Sequence, residues 1–227
     1  MAFDQAWERI FKAQSWGKYP TEEVIRFVAS RFKDQSSRSQ IRVLDLGCGG
    51  GAHTWFLARE GFDTYAIDGS ESGIRQTEAL LRAEGVKANL TVGDFTKLDY
   101  PAEFFDAVID SSAVQHNTLR DIRTVHSQIW KILKPGGYFC GILINTQTTG
   151  REATEQLDEN TFRNFQDGII QSELLVHFFT EVEIRDLLTP YEEINIESTT
   201  RTVSNGKYQF GHFVIASRKP LVAAMGK

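Results

Sequence analysis

The segment Val43-Leu44-Asp45-Leu46-Gly47-Cys48-Gly49-Gly50-Gly51 decides how the rest of the chain is read. An apolar run of strand length, 41–46, runs into a turn of glycines, and a helical pattern through Trp55, Phe56 and Leu57 follows until Gly61. Thr64-Tyr65-Ala66-Ile67 then restores strand character and closes on Asp68. Strand, glycine turn, helix and strand in that order form a crossover unit whose two strands lie parallel. Glycines let the backbone turn sharply and let a ligand approach without meeting a Cβ, while the helix start behind them offers unpaired N–H groups.

Outward from this unit the alternation continues. A helix is expected over 70–84 with Ser70 as N-cap, and strands near 90–92 and 105–110. Leu119, Ile122, Val125, Ile129, Ile132 and Leu133 recur every three or four residues, and Lys134-Pro135-Gly136-Gly137 breaks that helix before a strand over 138–144. Near the C-terminus, Thr180-Glu181-Val182-Glu183 has capping-box spacing ahead of a helix that Pro190 ends. Strands over 192–199 and 209–217 follow, joined through the turn signal Asn205-Gly206. At the other end, Phe3, Trp7, Ile10 and Phe11 mark one helix and Val24, Ile25, Phe27, Val28 and Phe32 a second, separated by the aromatic hinge Trp16-Gly17-Lys18-Tyr19-Pro20. Residues 33–40 read as a polar loop. Residues 146–172 are polar and poorly periodic, too long for a plain connector, and read as a helical insertion or a mobile substrate loop. The fold class is therefore α/β, Rossmann-like, with a mostly parallel sheet and helices on both faces.

Composition narrows the function classes. At 227 residues, against roughly 150 per domain, one domain with an appended cover is expected. Lys and Arg total 25 against 30 Asp and Glu, a net charge of −5 without a basic block, which argues against a nucleic-acid partner. Cys48 and Cys140 lie far apart without metal-ligand or disulfide spacing, as free thiols of a cytoplasmic protein do. The N-terminus meets an acid at Asp4 before any signal-peptide stretch develops, and the apolar runs are too short to cross a bilayer. No metal site, membrane partner or internal repeat is expected.

In an open α/β sheet, ligands sit beyond the carboxyl ends of the strands. Gly47-Cys48-Gly49-Gly50-Gly51-Ala52 satisfies G-x-G-x-x-G/A, which keeps a nicotinamide-dependent oxidoreductase open. Asp45, just before the glycines, repels a pyrophosphate and suits a cationic group such as an ammonium, or else caps the following helix. Asp68 stands where an acid accepts both hydroxyls of a ribose. Asp94, in Gly93-Asp94-Phe95, is placed to accept from a purine amino group while Phe95 packs on the base, or else to serve as a turn residue. Cys48 contributes backbone beside the ligand and no thiol chemistry.

These segments, taken with Phe105-Asp106-Ala107-Val108-Ile109-Asp110 and Leu133-Lys134-Pro135-Gly136-Gly137, resemble the class I S-adenosylmethionine-dependent methyltransferases in content and in order over roughly residues 41–145. The resemblance implies a seven-stranded sheet of order 3-2-1-4-5-7-6 with strand 7 antiparallel. It implies that Asp45, Gly47, Cys48 and Gly49 hold the methionine part of S-adenosylmethionine, Asp68 and Gly69 the ribose, and Asp94 with Phe95 the adenine. Asp110 and Ser111 match the position facing the sulfonium, and Trp16 and Tyr19 belong to an N-terminal segment that caps the cofactor or simply packs the hinge.

Methyl transfer needs alignment and, for a hydroxyl acceptor, a base. His116, in the loop after the fourth strand, is the candidate base or a pocket-lining residue. His126 is expected to pack on its helix, His177 to be structural and His212 to approach the pocket rim. Arg151, Arg163, Arg201 and Lys207 are candidates for recognising an anionic group on the acceptor, or ordinary surface charges. The expected domain comprises an N-terminal helical cap (1–40), a cofactor-binding core (41–145), an insertion covering the acceptor site (146–180) and a closing helix and strand pair (181–218). The expected activity is O- or N-methylation of a small molecule, a sugar, nucleotide-linked or secondary metabolite, by a monomer or homodimer. The alternatives are the oxidoreductase and a non-catalytic S-adenosylmethionine-binding protein.

Overall fold

A computed structural model describes residues 3–33, 37–170 and 173–221. Its central strands β1 (Arg42–Leu46), β2 (Asp63–Asp68), β3 (Asn89–Val92), β4 (Phe105–Ser111) and β5 (Leu133–Ile144) pair in parallel. Successive side chains of a strand face opposite sides of a sheet, so a strand covered on both faces reads as a continuous apolar run. Leu44, Val108 and Phe139 pack on one side, with Ile122, Val125 and Ile129 of α5 (Leu119–Ile132). Val43, Ile109 and Cys140 pack on the other, with Val24, Phe27 and Val28 of α2 (Glu22–Arg31) and Leu57 of α3 (Ala52–Arg59).

The chain ends in β9 (Glu192–Val203) and β10 (Tyr208–Arg218), and β10 inserts antiparallel between β5 and β9. The sheet order is β3-β2-β1-β4-β5-β10-β9, the expected 3-2-1-4-5-7-6 once the strands of the insertion are set aside. A dinucleotide-binding sheet runs 3-2-1-4-5-6 instead, so the inserted antiparallel strand distinguishes two folds that share a glycine pattern. The helix α4 (Glu71–Ala83) starts as expected, with Ser70 Oγ accepting from Gly73 N–H, and Thr180 and Glu183 form the full capping box of α6 (Glu181–Leu187).

Three expectations are corrected. Residues 146–172 are neither helical nor a plain loop: β6 (Ala153–Asp158), β7 (Thr161–Phe165) and β8 (Leu175–His177) form a separate antiparallel sheet. Its apolar side, with Phe165, Leu174, Val176 and Phe178, meets Ala6 and Ile10 of α1 (Gln5–Ala13), whereas every residue of β6 after Ala153 is exposed. One-sided burial of short strands leaves little periodic signal. Second, β5 begins at Leu133, and the Pro-Gly-Gly segment is absorbed as a register shift against β4 between Phe105 and Ala107. Third, the polar loop over 33–40 ends in a 3₁₀ turn, Arg38–Gln40; the part of that loop at 34–36, like positions 171–172 of the insertion, lies outside the described residues.

The N-terminal helix is fastened at its start and at its middle. Asp4 caps it through Ala6 N–H and pairs with Arg163 of β7 at 3.0 Å. Glu8 reaches the start of α4, accepting from Ser70 Oγ at 2.5 Å, Ser72 Oγ at 2.8 Å and Ser72 N–H at 3.1 Å. These donors lower the Glu8 carboxyl from 4.5 to about 2, the Ser70 hydroxyl most of all. A depressed acid stabilises the fold above its unfolded value and loses that contribution as pH falls toward its folded value. Glu8→Gln should therefore destabilise the protein at pH 7 by about 1–2 kcal/mol and flatten the loss of thermal stability between pH 4.5 and about 2. Melting curves that coincide with wild type at pH 7 would show that this clamp does not hold the helix.

Candidate functional site

A cavity of about 430 Å³ opens beyond the carboxyl ends of β1, β2 and β4, roofed by α1 and the hinge before α2. Its floor is the glycine turn. Gly47 adopts φ +68°, and a Cβ there would lie 2.3 Å from Cβ of Ala113; Gly51 adopts φ +86°, and its Cβ would fall within 2.6 Å of Thr77 Oγ1. Both need a left-handed backbone and the absence of a side chain. N–H groups of Gly47 and Cys48 both donate to the Ile67 carbonyl, tying the turn to the end of β2.

Of the residues expected at the ligand, Trp16, Tyr19, Gly47, Cys48, Gly49, Asp68, Asp94, Phe95, Ser111 and His116 line this cavity. Asp68 accepts from Gly49 N–H and Ser70 N–H, both at 2.8 Å, and burial raises its pKa against those bonds. Asp94 accepts from Thr96 N–H through Oδ1. Three expected residues stand behind the wall. Asp45 is buried and accepts from Thr54 Oγ1 at 2.6 Å, because α3 folds back over the strand that carries it. Asp110 Oδ1 accepts from Ala113 and Val114 N–H, shaping the 111–114 turn, while Oδ2 has no partner among the described residues and burial raises the carboxyl to about 7. Gly69 supports Phe3, whose ring would clash with any Cβ there.

His116 is buried, with Nδ1 2.9 Å from the Leu175 carbonyl of β8 and its ring edge-on to Trp7 at 4.7 Å. A carbonyl only accepts, so Nδ1 carries the proton and Nε2 the lone pair. Burial pushes its pKa down to about 4, against the Leu175 hydrogen bond and the charge of Asp4, which both raise it. His126 packs edge-on to Phe139, and His177 is buried beside Thr161 Oγ1. His212 does not line the cavity; it bonds Thr199 Oγ1 and lies 3.6 Å from Glu23 Oε1. The four cationic candidates are absent from the wall: Arg163 pairs with Asp4, Lys207 with Asp167, and Arg151 and Arg201 lie over Phe178 and Phe210.

Sequence reasoning missed Phe3, Asp4, Trp7, Phe11, His53, Ser112 and Asn117, all in the wall. His53 had a signal, being a polar ring on the first helical turn after the glycines, where side chains point back toward the turn. Trp7, Phe11 and Trp16 form a tilted aromatic series over the turn. Among the described residues the wall holds the carboxylates of Asp4, Asp68 and Asp94 and no Lys or Arg. Such a wall attracts a cation, by charge and by ring faces, and disfavours a polyanion.

Residues 43–137 match the family model described as a methyltransferase domain. The chain is 29% identical over 162 residues to a ubiquinone biosynthesis O-methyltransferase of Rhizobium etli, covering 71% of this chain and 62% of that protein. A sterol 24-C-methyltransferase of Debaryomyces hansenii is 31% identical over 145 residues, covering 57% and 37%. The chain thus spans less than two thirds of these relatives. Among solved structures, an S-adenosylmethionine-dependent methyltransferase of Methanosarcina mazei shares the fold with TM-score 0.65 at 24% identity, over 80% of this chain and 93% of that one. A Burkholderia thailandensis 1,6-didemethyltoxoflavin N1-methyltransferase, solved with its substrate and S-adenosylhomocysteine, gives 0.60 at 20%, over 88% and 79%.

Nitrogen-15 spectra should show His116 as the neutral Nδ1–H tautomer down to about pH 4. Because its folded pKa lies below the ordinary 6.5, the stability it contributes is complete above 6.5 and declines as pH falls toward 4. A ring titrating near 6.5 would remove this arrangement.

Proposed function

Because the chain belongs to the class I S-adenosylmethionine-dependent methyltransferases, through its domain at 43–137 and its sheet order, we propose that it methylates an oxygen of a small, uncharged acceptor, best an aromatic hydroxyl. The observation that carries this reading is the wall itself: three carboxylates, a cluster of aromatic rings and, among the described residues, no Lys or Arg, set at the ends of the strands. A nicotinamide dinucleotide would bring a pyrophosphate to those carboxylates, whereas a sulfonium nucleoside brings positive charge. The residues fit such a nucleoside. When bound, S-adenosylmethionine supplies an electrophilic methyl group on its sulfonium.

The chain's own groups supply the rest. Each Asp68 oxygen already takes one backbone N–H and has a second lone-pair direction left for a ribose hydroxyl. Asp94 and Phe95 receive the adenine, and the backbone of Gly47, Cys48 and Gly49 lies under the remainder, with Trp16 and Tyr19 at the mouth. Ser111 faces the reacting end, held in place by the turn that Asp110 organises, while Asp45 supports the floor from behind through Thr54. His116 holds the acceptor's hydroxyl proton at Nε2, its ring oriented by Leu175.

The aromatic wall supports a phenol-like acceptor over a sugar. The absence of Lys and Arg from the described wall weighs against nucleotide-linked and other anionic acceptors. The O-methyltransferase name of the Rhizobium etli relative is consistent with this choice. The protein is read as cytoplasmic; among the described residues no helix is long and apolar enough to cross a membrane.

Two measurements test the proposal. Calorimetry should detect S-adenosylhomocysteine, and Asp68→Ala should weaken it by roughly tenfold or more, the value of hydrogen bonds to a charged group; unchanged affinity would remove the ribose assignment. With labelled S-adenosylmethionine and a panel of phenols, sugars and phosphorylated acceptors, transfer should favour the phenols, and His116→Ala should lower kcat by about a hundredfold with cofactor affinity retained. A fully active His116→Ala enzyme would overturn the base, and transfer to phosphorylated acceptors would overturn the substrate class.

A further inference from the structure

His53 is a cavity side chain without a task in the proposed methyl transfer. It stands on the first turn of α3, immediately past the glycines, beside the N-cap residue of α2, Thr21. The backbone N–H of Thr21 lies 3.3 Å from His53 Nε2, and Thr21 Oγ1 lies at the same distance. A backbone N–H only donates, so Nε2 carries the lone pair and the neutral ring's proton sits on Nδ1. Among the described residues, no hydrogen bond to protein occupies Nδ1. The cavity therefore has two imidazoles of opposite polarity: His116 offers an acceptor and His53 a donor.

The charged groups that face His53 are Asp45 of β1 and Glu23 of α2, the latter with His212 of β10 3.6 Å away. Asp45 is already engaged by Thr54. These carboxylates favour a positive ring, while burial holds it neutral. No Lys or Arg of the described wall competes for an anionic ligand group, and the N–H of His116 is committed to Leu175.

Strand order says which ligand group reaches this corner. Asp94 follows β3, Asp68 ends β2 and the glycine turn follows β1, three neighbours in sequence across the sheet. A nucleoside lying from Asp94 to Asp68 points its far end over the glycine turn toward the start of α3. In S-adenosylmethionine that end is an amino acid, whose carboxylate needs a donor that an acidic wall is short of.

We propose that His53 binds the amino-acid carboxylate of the nucleoside through Nδ1–H, oriented for that task by Thr21 from the N-cap of α2. The inference rests on the methyltransferase reading. It assigns α2 a part in cofactor binding that lies outside the matched domain at 43–137.

The test compares two ligands by calorimetry: S-adenosylhomocysteine, and 5′-methylthioadenosine, which keeps the nucleoside and lacks the amino acid. His53→Leu should weaken S-adenosylhomocysteine by about ten- to a hundredfold and leave methylthioadenosine within about twofold. His53→Asn, which keeps an N–H near the position of Nδ1, should recover most of the loss. Equal weakening of both ligands would make His53 a structural residue and overturn the proposal. So would unchanged binding of both with a raised acceptor KM, which would move His53 to the acceptor side. If the wild-type protein bound neither ligand, the methyltransferase reading would fall and this inference with it; binding of both by wild type with no selective loss in His53→Leu sinks only the inference.

Discussion

The carboxylate of Asp68 joins two turns. One oxygen takes the N–H of Gly49, in the turn after β1, and the other takes the N–H of Ser70, at the start of α4. A buried acid is costly unless its lone pairs are met, so the two turns and the acid are placed together. The same junction receives Thr77 Oγ1 on the Gly49 carbonyl and Glu8 on Ser70 and Ser72. Floor and roof of the cavity therefore meet at one short stretch of chain, and the left-handed glycines are what let the floor pass beneath it.

Charge follows the same geometry. Acids at the strand ends are either turned into the cavity or taken up by nearby hydroxyl and N–H donors, and the only basic side chains in the described wall are two imidazoles. Their protons are positioned by main-chain groups distant in sequence: the carbonyl of Leu175 for His116 and the N–H of Thr21 for His53. The separate β6–β8 sheet and the hinge before α2 thus act on the site through the tautomers they impose. The net charge of −5, which first argued only against polyanionic partners, has a local counterpart in a wall suited to a sulfonium.

Much of the main sheet was legible because its signals are local. Apolar runs, the glycine turn, the Ser70 cap and the Thr180–Glu183 capping box all act within a few residues, and each appears where the pattern places it. The small sheet was not legible. Its strands are short, β6 is largely exposed, and the face that Phe165 and Val176 bury is supplied by Ala6 and Ile10, far away in the chain. Phe3, Trp7 and Phe11 read as an ordinary helical stripe for the same reason, since nothing near them in sequence shows that the stripe covers a cavity.

Reading along the chain was enough to establish the order of strands and helices, the turn that admits a ligand and the acids that end the strands, because periodicity, positive φ and capping are short-range rules. It could not say which of those acids would face the ligand. Asp68 and Asp94 line the cavity, whereas Asp45 and Asp110 are drawn behind the wall by Thr54 and by the N–H groups of Ala113 and Val114. Nor could it say which imidazole nitrogen keeps its proton. Both outcomes depend on partners that only the packed fold brings within hydrogen-bonding distance, and a hydrogen bond is decided by a few tenths of an ångström that spacing along a chain does not encode.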